Sequence, residues 1–502
     1  MEQASEGDTL ILSPGVYAEN IRIEKRLTLR GEPGAILDGG AEFHGEWTSA
    51  GDGLDGVFFT PAEKRPEGLL VDGRFLAEIR FDRAQSKGDW YWQTLLERGT
   101  PLSGFDAIRA LWTHHPKEKR LYLRFADGRS PVTRNLSWIR SGKPLITIAQ
   151  ASGVVVEGLT FARGVIAVEI TEGASGAVVR NCKIESYEET GIMLSGGASD
   201  CTVEACGITR GAYEEWQPSL ENDRANYEIW RVHKSVGRYD RNGIVLFRAG
   251  AGNRILNNRI SRVFDGIALG DYKVESLDAE LTDPDHGRGT EIAGNLIENT
   301  RDSGIELGAG CIDVHVHHNT LRQTHGGLRF KVPRIGPVYI HHNRLIDGAP
   351  FNIWFSMDAS TAEGYVYHNT IVRGGRSALE FSSFNHSPDF GAPNWHFLNN
   401  LVLNEEDGFF SRGRNTPSPD FHAGHNIVTG GKAPWPDDVG RDPGSRYEVE
   451  IPYQSDGVPA PRSAAIDAGV DLSTFLEGQP LPGCEPGYFK GQSPDAGAVE
   501  VE

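Results

Sequence analysis

This sequence predicts a right-handed parallel β-helix, an all-β solenoid with a small β-rich insertion near its N-terminus, on three observations. A short unit recurs along the chain: an apolar-alternating strand, an Asn, a turn, then Gly-Ile-x-Leu or a variant. One Asn occupies the same place in successive units, forming the column Asn258, Asn295, Asn319, Asn343, Asn369, Asn400 and Asn426, with Cys182 and Cys206 at its head. The tightest spacing is 24 residues, with strand alternation of period two and no helical period, which is the signature of stacked β-coils.

The elements follow in order. Gly7-Asp8-Thr9-Leu10 reads as the first strand, and residues 1–40 as an N-terminal cap and first coils. Between Gly40 and Gly153 the repeat stops, and residues 41–150 read as the β-rich insertion. Within it, Gly68–Leu76 and Lys119–Gly128 read as hairpin strands with Asp-Gly turns. Residues 151–430 form the main β-helix, where Gly191-Ile-Met-Leu, Gly266-Ile-Ala-Leu, Gly304-Ile-Glu-Leu and Gly327-Leu-Arg-Phe mark successive coils. Loop insertions interrupt it at 211–240, rich in Tyr and Trp, and at 272–288. Residues 431–502 read as an irregular C-terminal extension or cap. An Asn column suits this architecture because a side-chain amide can bond the coils on either side of it.

Gly7-Asp-Thr-Leu-Ile-Leu-Ser-Pro-Gly-Val-Tyr17 and the repeats over roughly 1–40 and 150–430 resemble the pectate-lyase-like superfamily of right-handed β-helices. Ser463–Gly469 and Asp495–Glu500 resemble a terminal motif of exported bacterial β-helix proteins. The resemblance implies a secreted or periplasmic carbohydrate-active enzyme acting as a monomer on an oligo- or polysaccharide. Met1–Ser5 lacks the features of a signal peptide, so a leader is expected to have been removed. The net charge of −19 argues against a nucleic-acid partner or an acidic membrane surface, and no apolar run is long enough to span a bilayer. Five cysteines make no disulfide framework, and Cys182 and Cys206 are expected as buried thiols.

Alternation sends Ile and Leu of Gly-Ile-x-Leu inward and x outward. The outward column is Met193, Val245, Ala268, Glu306, Arg329, Trp354 and Glu380, and the next holds Ser195, Phe247, Gly270, Gly308, Lys331, Ser356 and Ser382. Strands lie about 4.8 Å apart, so Glu306 should touch Arg329, with Lys331 beside both and Trp354 one coil further on. Asp265, Asp302 and His325 fall in the turn before this strand on three successive coils, and Asp271 ends it at an insertion. The expected catalytic set is Asp265, Asp271, Asp302, Glu306, His325, Arg329 and Lys331. The expected substrate-binding set is Trp354, Glu380, Arg334, Trp230 and Tyr239. Tryptophan can stack on a sugar ring while charged groups bond its hydroxyls or carboxylates. A plain ladder of surface ion pairs would account for Glu306 opposite Arg329 equally well.

Two chemistries fit this set. Hydrolysis needs two carboxyl groups about 5 to 9 Å apart, which Asp265 with Asp302, or Asp271 with Glu306, could supply. Arg301–Gly310 is similar to the polygalacturonase segment with paired aspartates, although one Asp stands there and the Asn-Thr-Asp signature is missing. Elimination needs a cation to neutralise a uronate and a base, roles open to Arg329, Lys331, His325 and Arg334. Gly304-Ile-Glu-Leu and Leu328-Arg-Phe-Lys331 look like the outward Glu and basic residue of the alginate lyase/chondroitinase B family. Glycoside hydrolysis is the first reading, a lyase or epimerase the second, and a non-catalytic glycan-binding or adhesin-like β-helix the third. No cofactor is required and no residue set is assigned to a metal, although elimination leaves room for Ca²⁺ at Glu306. The histidines before the Asn column (His318, His342, His368, His425) read as a surface ladder on another sheet.

Overall fold

The computed structural model describes residues 3–501 except 52–55, 79–109, 126, 211–240, 271–285, 309, 332–334, 349–350, 357–361, 374–376, 382–391, 393, 404–409, 412–417, 430–443, 448 and 455. Its strands build a parallel β-helix. Three sheets of 12, 13 and 11 strands run its length among the described residues, and each coil gives one strand to each sheet in turn. One coil, for example, contributes Val155–Glu157, Thr160–Ala162 and Ile166–Thr171. We call these sheets I, II and III.

Inward residues fill a narrow core of Ile, Leu and Val, which broadens to stacked aromatics in the later coils. The rings of Phe330, Phe355 and Phe381 lie 4.9 and 4.7 Å apart in succession, and Trp395 is fully buried against them.

The Asn column is a continuous hydrogen-bond ladder between sheets I and II. Asn319 Oδ1 accepts from the backbone N–H and side-chain amide of Asn295, both at 2.9 Å. In turn Asn319 donates through its amide to Ile292 O at 2.8 Å and to Asn343 Oδ1 at 3.0 Å. The pattern runs from Cys206, whose N–H donates to Asn258, to Asn426, whose N–H donates to Ser445 Oγ. Each fully buried turn is thereby satisfied without water. The residue before each Asn takes a left-handed conformation: Asn257, His318, His342, His368, Asn399 and His425 have φ between 50° and 55°. Asn and His are among the side chains that tolerate this region, which explains why histidine recurs there.

The described residues between Gly40 and Ile139 form two further sheets. The four-stranded one contains the hairpin Leu69–Val71/Arg74–Phe75 across Asp72-Gly73. The five-stranded one contains Ala110–His115 paired with Arg120–Phe125. Asp127-Gly128 makes no hairpin, contrary to expectation: the strand before it pairs with Val57–Pro61, and the chain leaves through a short 3₁₀ turn at Pro131–Thr133. Ile146–Ala149 then pairs with Ile21–Ile23 and resumes the coil. The C-terminal extension lies along the side of the later coils, where Tyr367 donates to Pro482 O at 2.6 Å and Asn399 to Val470 O at 2.8 Å. Among the described residues no helix is long and apolar enough to cross a membrane.

Candidate functional site

Sheet III sets the vertical order of the candidate residues. Its register pairs Met193 with Val245, Val245 with Ala268, Ala268 with Glu306, Glu306 with Arg329, Arg329 with Trp354 and Trp354 with Glu380, which is the column read from the sequence. Arg329 is the hub. Its Nη1 donates to Glu306 Oε2 at 3.0 Å and lies 3.6 Å from Asp302 Oδ1. Its Nε donates to Ser356 Oγ at 3.0 Å. Its guanidinium carbon sits 4.0 Å from the centre of the Trp354 ring, a cation–π contact. Phe351 supports that ring with centroids 5.5 Å apart.

These groups point away from the coil interior but are not open to solvent. Asp302 is 3 % exposed, and Glu306 and Arg329 are each 4 % exposed. The sequence implied a solvent-facing ladder, and the structure gives a covered one. Part of the cover is mutual, since Trp354 lies over Arg329 and Arg329 over the two carboxylates. In this desolvated setting charge-assisted bonds are strong, and removing one partner leaves the other charge buried.

Asp265, Asp302 and His325 lie in the turn before the strand on three successive coils, but not at one level. Ile267 pairs with Ile305 and Ile305 with Leu328, so Asp302 aligns with His325 but Asp265 aligns with Ser303. Asp265 stands one residue before Gly266, whereas Asp302 and His325 stand two residues before Gly304 and Gly327. Asp265 Oδ1 accepts the Ser303 N–H at 2.9 Å, so it orders the turn from which Ser303 Oγ reaches Glu306 Oε2 at 3.5 Å. His325 is buried beside Asp302, whose carbonyl accepts the Gly326 N–H at 3.3 Å. Lys331 is half-buried in the neighbouring column, and Glu380 is buried beyond Trp354, three coils from Glu306. Asp271, Arg334, Trp230 and Tyr239 lie outside the described residues. Ser303 and Ser356 were not among the expected site residues. Ser356 was findable, because it stands in the second outward column one coil beyond Lys331.

Arg210 and Arg241, which flank residues 211–240 in the sequence, donate to opposite oxygens of Glu188 at 2.9 and 3.1 Å, and all three side chains are buried. Phe75 of the N-terminal insertion covers Arg210 with a 4.0 Å cation–π contact.

The histidines form stacked ladders along sheet I and the turn that follows it, as the sequence suggested: His318 is exposed, His317, His342 and His425 are half-buried, and His341 and His368 are buried. His317 stacks on His341, and His318 on His342, with ring centroids 4.9 and 5.1 Å apart. His341 Nδ1 lies 2.9 Å from His342 Nδ1, so one nitrogen donates and the other must accept. His368 Nε2 faces the Asn399 amide at 3.1 Å. Burial drives His341 and His342 well below the ordinary imidazole value and His368 down to about 4, so these rings are neutral near pH 7. Among the described residues no three His, Cys, Asp or Glu side chains are grouped to hold a metal ion.

The protein is thus a right-handed parallel β-helix carrying a buried carboxylate–arginine–tryptophan cluster on its third sheet. The family described as "Right handed beta helix region" matches residues 145–371. Among solved structures, the complex of XylC with xylose is similar over 100 % of this chain and 94 % of its own, at 13 % identity and a TM-score of 0.51. A structure described as a glycoside hydrolase covers 87 % of this chain and 92 % of its own, at 11 % identity and a TM-score of 0.47. At such identities the likeness is one of fold. No curated protein matches the chain.

Proposed function

We propose that this protein is a glycoside hydrolase whose reacting carboxylates are Glu306 and Asp302. The observation that carries the reading is that both lie on one nitrogen of Arg329, at 3.0 and 3.6 Å, beneath an aromatic ring. The two oxygens are therefore at most 6.6 Å apart, the sum of those distances. That bound spans the roughly 5–5.5 Å of retaining enzymes and only reaches the lower edge of the inverting range.

A retaining mechanism follows. Glu306, fixed by Arg329 and Ser303, attacks the anomeric carbon while Asp302 gives its proton to the departing glycosidic oxygen. Water, deprotonated by Asp302, then releases the sugar from Glu306. Trp354 is placed to stack on the sugar ring. The whole-chain likeness to a β-helix holding xylose supports a saccharide substrate. Elimination is less well served, because Arg329 already engages two carboxylates and is poorly placed to neutralise a uronate.

Incubation with neutral and uronate polysaccharides, and with aryl glycosides, tests the reading. It expects new reducing ends, retained anomeric configuration by NMR, and loss of both in Glu306→Gln. Ultraviolet-absorbing unsaturated ends would replace hydrolysis with elimination. Binding without turnover would make the protein a glycan-binding module.

A further inference from the structure

The N-terminal insertion carries a second aromatic cleft on which the proposed reaction does not draw. Phe43 and Trp47 stand half-buried in the strand-like stretch after Gly40–Glu42, with ring centroids 5.8 Å apart, and Trp138 meets Phe43 edge-on at 6.2 Å. Phe43, Trp47, Pro131, Val132 and Leu136 wall an open cleft of about 370 Å³, within the range of small-ligand sites. The rim is polar: His44, Glu46 and Arg134 border it.

Three features of this cleft matter. Val132 remains 70 % exposed, so the apolar wall is left uncovered by the rest of the chain. Arg134 Nε is a buried donor with no hydrogen-bond partner, on a guanidinium otherwise held by Asp127 and by the Phe125 ring 4.5 Å away. Its charge is thus already answered, and Glu42 engages His44 at 3.3 Å. With Glu46 added, and a chain of net charge −19, the rim repels anions. Aromatic faces bordered by hydrogen-bonding groups of no net positive charge suit the apolar face of a neutral pyranose.

We infer that this cleft is an ancillary binding site for a neutral polysaccharide, distinct from the Glu306 cluster on sheet III. The choice of sugar as ligand rests on the proposed function. A second site on the same molecule raises avidity for a polymer without changing turnover of a small substrate.

Affinity electrophoresis of Glu306→Gln in gels containing soluble mixed-linkage β-glucan, xylan or mannan, with polygalacturonate as the anionic control, tests this. Retardation is expected in at least one neutral gel and not in polygalacturonate. Trp47→Ala should weaken it by about tenfold, the loss typical of a truncated aromatic anchor. Because Trp47 also packs on the core of the insertion, Val132→Arg supplies a variant at an exposed position of the wall, and it should weaken retardation while leaving the melting temperature unchanged. In the otherwise wild-type chain, neither change should alter hydrolysis of an aryl glycoside. Unaltered retardation in both variants overturns the site, as does retardation in none of the neutral gels. If no glycoside is turned over but retardation still depends on Trp47 and Val132, the catalytic reading fails and this site stands.

Discussion

Arg329 and Glu306 meet across a single coil step, 3.0 Å apart and each 4 % exposed, and Asp302 lies 3.6 Å from the same arginine nitrogen, so Arg329 keeps a carboxyl neighbour when Glu306 changes, whereas a change of Arg329 removes the cation that Glu306 bonds. Their variants should separate chemistry from stability. Glu306→Gln keeps a polar group of the same shape and should fold normally while turnover is lost with the attacking carboxylate. Arg329→Met leaves Glu306 as a buried charge deprived of the cation that it bonds. It should lower unfolding free energy by about 3–5 kcal/mol, read from the guanidinium midpoint. Equal stability of the two variants would contradict this arrangement.

Asn319→Leu should be among the more damaging core changes. It removes the acceptor for Asn295 N–H and the donor to Ile292 O, groups that no water reaches. Each such buried group costs about 1–3 kcal/mol when unsatisfied. Denaturant unfolding at fixed pH measures the loss.

Acid should loosen the sheet I side of the molecule. His368 and His396 are each lowered to about 4 by burial, from an ordinary value of 6.5. A depressed imidazole contributes stability that is complete above 6.5 and lost as pH falls towards 4. Glu500, raised by burial to about 7, has the opposite sign: its contribution is complete below the ordinary carboxylate value and fades as pH rises through 7. The histidines outnumber it, so the melting temperature should fall between pH 7 and pH 4.5. His368→Asn, which preserves a left-handed turn of the kind Asn399 makes, should flatten that slope.

Gly327→Ala should be severe although it adds one methyl. The residue has φ of +46°, and a Cβ there would come 1.9 Å from Asn352 O. The cost should exceed the roughly 1–2 kcal/mol of a left-handed alanine alone, because two strands must part. These strands carry Arg329 and Trp354, so near-ultraviolet circular dichroism should change along with the melting temperature.

Glu188→Gln should weaken the tie between Arg210 and Arg241. Two buried guanidinium groups would lose the carboxylate they share, at a cost on the order of 3–5 kcal/mol. Faster tryptic cleavage beside Arg210 or Arg241, relative to wild type, is the expected readout.

The vertical order of the site could be read from the sequence because the Asn column counts coils, and counting coils fixes which outward residues are neighbours. Glu306, Arg329, Trp354 and Glu380 follow from that count together with the alternation of the Gly-Ile-x-Leu strand, which is needed because Glu306 stands 11 residues after Asn295 but Arg329 stands 10 after Asn319. The offset of Asp265 was legible as well, since it stands one residue before its strand's glycine where Asp302 and His325 stand two before theirs, but its bond to the Ser303 N–H was not, because that depends on how the turn folds. Burial of the charges was also hidden: strand alternation says which way Glu306 points, not what lies over it. In the insertion, Asp72-Gly73 announced its hairpin, whereas the same dipeptide at 127–128 did not make one, since the strand before it found its partners upstream.

The unbroken amide ladder from Asn258 to Asn426 also sets a measure. It locks each coil to the next, so groups on sheet III can be separated along the helix axis only in whole steps of the strand spacing. A ligand lying along that axis must match this step or be read crosswise, whereas a change of insertion alters the walls of the site and leaves its ruling untouched.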